Sequence, residues 1–285
     1  MTTNNPHENT YVFDPESIAE MGRLIDQDRM VTTAMGGPLA GIEDASFQNV
    51  IDLACGPGGW VLDMAFEHPK AEICGVDISR GMIEYANARA ISQGIKNASF
   101  GVMDITQPLD FADASFDLVN ARLIFSVLKR EKWPSFLTEC TRILRPGGIL
   151  RLTEPVDPGE TTSPAFNQLA SLLLQMMHLA GYGFSTNGRT FGMAPTLAHL
   201  LHDMGYQQLR HFASIQNYSE YMPTWADFLH NNEIAYQQTL PLLVKMGLIS
   251  QEEGERLYAQ MRIELRSSDF AAMTYTTTLL GTHPA

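Results

Sequence analysis

Apolar and polar positions along this chain change period in a regular order. Val50-Ile51-Asp52-Leu53 is a short apolar run carrying one acid, and it leads straight into Ala54-Cys55-Gly56-Pro57-Gly58-Gly59 before Trp60-Val61-Leu62 opens a helical pattern. A short apolar run closed by glycines and followed by helical spacing predicts strand, glycine turn and helix. Residues 71–78 (AEICGVDI) and 98–105 (ASFGVMDI) are two further apolar runs, ending in Asp77 and in Met103-Asp104-Ile105. Ser79 would cap the helix that follows the first of them and Gly94 would end it. From Asn49 to Glu154 predicted strands alternate with helices, which argues for a parallel sheet with crossovers. In such sheets a ligand sits beyond the carboxyl ends of the strands, where Asp52 to Gly58, Asp77, Asp104 and Asn120 all fall.

The flanks follow helical spacing. Residues 1–10 are expected to be disordered, and Asp14-Pro15-Glu16 reads as a helix start for residues 15–34, with Ile18, Met21, Leu24 and Ile25 on one face. Gly36-Gly37-Pro38 then releases the chain. Beyond Pro155 helices are expected over residues 164–180 and 194–204, followed by a strand near 207–215. Two more helices are expected over residues 223–246, broken near Pro241, and 250–266, the latter opening on a capping box from Ser250 to Glu253. The threonine-rich run 270–280 reads as a final strand.

The glycine turn is a cradle for a nucleotide-like ligand. Glycine reaches φ > 0 and lets a ligand approach the main chain, while the helix start offers unpaired N–H groups to an anion. A dinucleotide fingerprint requires a third glycine three residues after the second, but Val61 follows Gly58 at that distance. A Walker loop requires Gly-Lys-Ser/Thr, but Gly59-Trp60-Val61 stands there. With an acid on the strand before the turn, the segment resembles the first motif of the class I S-adenosylmethionine (SAM)-dependent methyltransferases, of the type 11-like domain that acts on small molecules. Phe116 to Arg122 (FDLVNAR) and Thr141 to Glu154 (TRILRPGGILRLTE) are similar to that family's fourth strand and to its helix, Pro-Gly-Gly turn and fifth strand. The likeness runs from about Asp44 to Pro155.

The resemblance implies an α/β fold: a Rossmann-like, seven-stranded, mostly parallel sheet with helices on both faces and an antiparallel pair at the edge. It implies a cofactor set of Asp52, Ala54, Cys55, Gly56, Pro57, Gly58, Asp77, Ile78, Met82, Met103, Asp104, Ile105 and Asn120. Asp77 would take the ribose diol, Asp104 would meet the adenine amino group, Ile78 and Ile105 would sandwich adenine, and Asp52 would orient the loop near the methionyl ammonium. The organisation expected is an N-terminal helical lid over 1–43, a SAM-binding core over 44–155, substrate-side helices over 156–222, a helical cap insertion over 223–268 and an edge strand over 269–285.

Composition narrows the partner. The 285 residues are 45% apolar, enough for a full core, and carry a net charge of −13 with a pI near 5.0. That field disfavours nucleic acid and anionic membranes and leaves a small-molecule substrate. Three cysteines without a CxxC pair and an N-terminus lacking the apolar core of a signal peptide suit a reduced, cytoplasmic setting. No metal site is expected, since His199 and His202 find only Asp203 to complete one. Arg122 and Glu154 are expected to form a salt bridge on the pocket floor that keeps Glu154 ionised. His178, on the helix 164–180, is the candidate for proton transfer, with simple packing as its other reading. Met176, Met177, Tyr182, Phe184, Phe191, Met193, Trp225, Phe228 and Tyr236 are mostly core; any that line a pocket would favour an apolar substrate. The expected activity is methyl transfer from SAM to a small, largely apolar acceptor at oxygen, nitrogen or carbon, releasing S-adenosylhomocysteine (SAH). The alternatives are a non-catalytic SAM-binding regulator, which would lack an open acceptor pocket, and an NAD-dependent dehydrogenase on a similar sheet.

Overall fold

The computed structural model describes residues 11–42 and 46–284, so the disorder expected for residues 1–10 lies outside the described residues. Strand β1 (Asn49–Leu53) runs parallel between β2 (Glu72–Asp77) and β4 (Phe116–Arg122). Strand β3 (Ala98–Val102) extends the sheet beyond β2, and β5 (Leu144–Pro155) extends it beyond β4. The chain therefore steps outward one way through β1, β2 and β3 and then crosses to the other side of β1, which opens a crevice at the β1/β4 boundary. Strand β8 (Ala272–Thr282) lies antiparallel to β5, and β7 (Gln207–Asn217) lies antiparallel to β8. This is the seven-stranded sheet expected; a two-residue strand, β6 (Glu160–Thr161), pairs with the start of β8 and makes an eighth.

Helices α2 (Gly59–Glu67), α3 (Arg80–Gln93), α4 (Trp133–Ile143) and α6 (Met193–Asp203) flank the sheet. As expected, Ser79 caps α3 through Met82 N–H at 3.1 Å, and Gly94 ends it in the left-handed region. Helix α1 (Ile18–Met35) starts three residues later than expected. Asp14 instead closes a turn by accepting from Glu16 N–H at 3.0 Å, and Ser17 becomes the cap by accepting from Glu20 N–H. The Pro-Gly-Gly segment is absorbed into β5 as a bulge, where pairing jumps from Phe116↔Leu144 to Leu118↔Ile149.

A second apolar core holds the cap. Helices α5 (Pro164–Leu179), α7 (Trp225–Lys245) and α8 (Gln251–Glu264) meet around Phe166, Phe228, Tyr236, Leu257 and Met261, and Met30 of α1 joins them. Contrary to expectation, α7 runs through Pro241 without a break. The proline is exposed, and so is Gln237, whose carbonyl loses its partner, so water can serve that carbonyl while Tyr236, Thr239 and Leu243 stay buried. Ser250 caps α8 through Glu253 N–H, but the Glu253 carboxylate pairs with Arg256 rather than closing the expected box. Among the described residues no helix is long and apolar enough to cross a membrane.

Candidate functional site

The turn after β1 needs its glycines. Gly58 sits at φ 78°, and a Cβ there would stand 2.6 Å from Phe100 Cε1 and 2.8 Å from Ala86 Cβ. Gly56, at φ 52°, is different: a Cβ would meet nothing closer than Leu24 Cδ1 at 3.9 Å, because the residue faces open space. Asp77, at the tip of β2, locks the turn. Its Oδ2 accepts Gly56 N–H and its Oδ1 accepts Ser79 N–H, both at 2.9 Å. Each carboxylate oxygen keeps a second lone pair, which is the acceptor set a vicinal diol requires. Burial pushes the Asp77 carboxyl up, and the two N–H bonds oppose that. At the tip of β3, Asp104 Oδ1 accepts from Thr106 N–H at 2.8 Å and from Thr106 Oγ1 at 2.7 Å.

These strand tips wall one side of a cavity of about 290 Å³. Asp52, Ala54, Cys55, Gly56, Pro57, Asp77, Ile78, Met82, Met103, Asp104 and Ile105 all line it. Gly58 and Asn120 stand behind that wall. Asn120 Nδ2 donates to Asp52 Oδ1 at 2.7 Å, and Asn120 Oδ1 accepts from Arg151 Nη1 at 2.7 Å. Burial drives Asp52 up to about 7, while Arg122 and Asn120 pull it back; burial, with nearby Arg122, brings Arg151 down to about 9. Arg151 is fully buried in mid-strand and carries no local sequence signal.

Two expectations fail beside this wall. Arg122 does not meet Glu154: it pairs with Asp28 of α1, donates to Thr32 Oγ1 at 3.0 Å and lies over the Trp60 ring. Glu154 instead accepts Ile124 N–H at 3.0 Å and Phe125 N–H at 3.1 Å, clamping a turn in which Leu123 holds φ 58°. Nor is it kept ionised, because burial pushes it up to about 8 against those two bonds. A carboxyl group in this position fixes backbone shape at the tip of β4.

Helix α1 covers the cavity with Leu24, Gln27, Asp28 and Val31. A buried network joins it to α7. Arg23 donates to Glu20 through Nε at 2.9 Å and through Nη2 at 2.6 Å, and reaches Asn231 Oδ1 through Nη1 at 2.9 Å. Gln238 of α7 completes the tie to Glu20 at 3.0 Å.

The opposite wall mixes apolar and polar side chains. Met30, Leu173, Met177, Phe191 and Phe228 line it, beside Gln216, Tyr218, Tyr236 and Thr276. Of the methionines and aromatics singled out in the sequence, Met177, Phe191, Phe228 and Tyr236 face the cavity, whereas Met176 and Met193 are buried in the core. The structure does not bring His178 to the cavity. Its ring packs against Gly188, and its carbonyl accepts from Arg130 Nη2 at 2.8 Å. Sequence reasoning missed Gln216, Thr274 and Thr276; the alternation of threonines at 274, 276 and 278, with Thr276 and Thr278 buried, was the available signal. His199, His202 and Asp203 do lie within reach of one another, but all three are exposed.

A family profile described as a methyltransferase domain matches residues 50–148. The chain is 29% identical over 130 residues to a demethylmenaquinone methyltransferase of Lactococcus lactis, a match covering 45% of this chain and 49% of that protein. It thus spans about half the length of that relative. It is 31% identical over 199 residues to a ubiquinone/menaquinone biosynthesis C-methyltransferase of Desulfotalea psychrophila, covering 66% of this chain and 75% of the relative. Among solved structures, it resembles in fold a geranyl diphosphate C-methyltransferase from Streptomyces coelicolor, with a TM-score of 0.51, 13% identity and coverage of 98% and 89% of the two chains.

Proposed function

The chain belongs to the class I SAM-dependent methyltransferases, and from that premise we propose that it transfers the methyl group of SAM to a small organic acceptor. One observation carries the reading: the wall built from the β1, β2 and β3 tips and the wall built from β7, β8 and α7 enclose the same cavity. A regulator that only sensed SAM would not require the second wall.

The residues present fit the cofactor. Gly56 leaves uncrowded main chain at the cavity, which a Cβ would fill, and Asp77 keeps two acceptor positions for a ribose diol. Ile78, Met82 and Ile105 supply flat apolar contacts beside Asp104. When bound, SAM supplies a methyl group already activated on a sulfonium centre. The chain's remaining tasks are to align the acceptor with that methyl and to exclude water. Helix α1 does the second, held down by Arg122 on one flank and by the Arg23 network on the other. We read α1 as the lid, residues 46–155 as the SAM-binding core, 156–222 as substrate-side helices, 223–268 as the cap and 269–284 as the edge strand. The likeness to quinone methyltransferases points to an acceptor with a broad apolar body, and Met30, Met177 and Phe228 suit one.

The test is to incubate the protein with SAM and a panel of small phenols, ketones and amines, and to measure SAH formation by mass spectrometry. Acceptor-dependent SAH that disappears in Asp77→Ala is the expected result. SAH binding without turnover on any acceptor class would favour the regulator instead.

A further inference from the structure

On the acceptor wall one polar atom in each of three side chains reaches no hydrogen-bond partner among the described residues. Gln216 and Thr276 are 5% exposed and Tyr236 is 2% exposed, yet Gln216 Nε2, Thr276 Oγ1 and Tyr236 Oη make no hydrogen bond among the described residues. All three residues line the cavity. Buried polar atoms are otherwise nearly always satisfied, and a wall built only for packing would carry leucine, valine and phenylalanine here.

The Gln216 Oε1 accepts from Tyr218 Oη at 3.0 Å and from Thr274 Oγ1 at 2.7 Å, and in this orientation the amide presents its N–H₂ donors at the other end. Gln216 pairs with Thr274 across β7 and β8, and Thr276 lies two residues further along, on the same face of the sheet. Tyr236 approaches from α7 with its ring edge-on to Phe166. Burial holds the Tyr236 phenol well above its ordinary range, so it remains a hydrogen-bond donor at every physiological pH.

The charge of the ligand follows from what surrounds these groups. Among the described lining residues the cations are Arg23 and Arg122, and each is already paired, with Glu20 and Asp28 respectively. Asp77, Asp104 and Asp157 line the same cavity beyond the Arg122-paired Asp28 and the buried Asp52. A phosphate or carboxylate on the acceptor would enter a negative field and find no available counter-charge.

Resting on the methyltransferase reading above, we infer that Gln216, Tyr236 and Thr276 form a subsite for an uncharged oxygen function of the acceptor, a ketone carbonyl or phenol hydroxyl, borne on an apolar ring body. The ring packs on Met30, Met177 and Phe228 while the oxygen takes donors from the Gln216 amide and the Tyr236 phenol. Thr276 can donate or accept, so it serves either a carbonyl or a hydroxyl.

The experiment uses SAH-loaded protein, 1-naphthol as the uncharged probe and 1-naphthyl phosphate as its anionic counterpart, with binding followed by calorimetry and ligand-observed NMR. Tyr236→Phe and Thr276→Val each remove one oxygen and little else. Each is expected to weaken 1-naphthol by about fivefold or more while SAH affinity moves by less than about twofold. Melting temperatures should match or exceed that of the native protein, because an unsatisfied buried hydroxyl has been removed. Unchanged 1-naphthol affinity in both variants would overturn the subsite. So would tighter binding of the phosphate ester, absence of 1-naphthol binding to SAH-loaded protein, or a marked fall in melting temperature in both variants. Failure of the native protein to bind SAH would instead overturn the reading on which the subsite rests.

Discussion

On the Asp77 wall of the cavity the ligand-facing groups are held by main-chain geometry; on the Thr276 wall they are held by side chains drawn from three distant elements. Gly56, Gly58 and Asp77 fall within 29 residues of β1's first residue and form one turn whose shape is set by positive φ and two N–H bonds. Gln216, Tyr236 and Thr276 come from β7, α7 and β8, and each could be exchanged for an apolar residue without touching the backbone. The first wall is therefore rigid and costly to alter, and the second is free to vary with the acceptor. That is how one cofactor cradle can serve many acceptor chemistries.

The largest effect should come from breaking the rigid wall. Asp77→Ala removes the acceptors of Gly56 N–H and Ser79 N–H along with the diol site, and should weaken SAH by about 3 kcal/mol, roughly a hundredfold, in calorimetry. Binding of 1-naphthol on the opposite wall should change far less, and equal losses on both walls would erase the distinction between them.

Next in size is a contrast between two glycines of one turn. Gly58→Ala forces a Cβ against Phe100 and Ala86 and should cost about 2 kcal/mol in denaturant unfolding. Gly56→Ala pays only for its positive φ, about 1 kcal/mol, yet should impair SAH binding more severely because its methyl enters the cavity.

A smaller effect is the pH dependence of stability. The carboxyls of Asp52 and Glu154 are raised by burial to about 7 and about 8, so the folded protein binds more protons than the unfolded chain from about pH 4 upward. Their contribution to stability is fully present below about pH 4 and is lost as pH rises through those folded values. Glu154→Gln should flatten the upper part of that slope in thermal melts. The Thr276 wall carries no group titrating in this window, so 1-naphthol affinity for Thr276→Val and native protein should keep a constant ratio across it.

The smallest effect is expected at His178. Its ring lies outside the cavity, so His178→Ala should leave turnover within about twofold, whereas Met177→Ala, one residue earlier and facing the cavity, should raise the acceptor KM.

The same contrast explains what was legible in the sequence. Glycines at the turn and acids at strand tips are local signals, and Asp52, Gly56, Asp77 and Asp104 are legible in three short segments whose parallel pairing follows from their order. Arg122 was misassigned because its partner, Asp28, sits on a helix 94 residues away, with nothing in either segment to link them. Glu154 was misread for the same reason: its partners are two backbone N–H groups, which carry no sequence mark. Pro241 fails as a helix breaker because both it and Gln237 face solvent, a fact set by packing against α1, α5 and α8. On the acceptor wall, Gln216 reads as an ordinary strand residue and Tyr236 as an ordinary helix residue until the fold brings them together.

The central claim is that the Asp77 wall is an adenosyl cradle. Its most direct test is calorimetric titration of SAH, with NAD as comparison, into native protein and Asp77→Ala. The account predicts saturable SAH binding to native protein, little or none to Asp77→Ala, and no binding of NAD. SAH affinity that survives loss of the Asp77 carboxylate, or a preference for NAD, would contradict it.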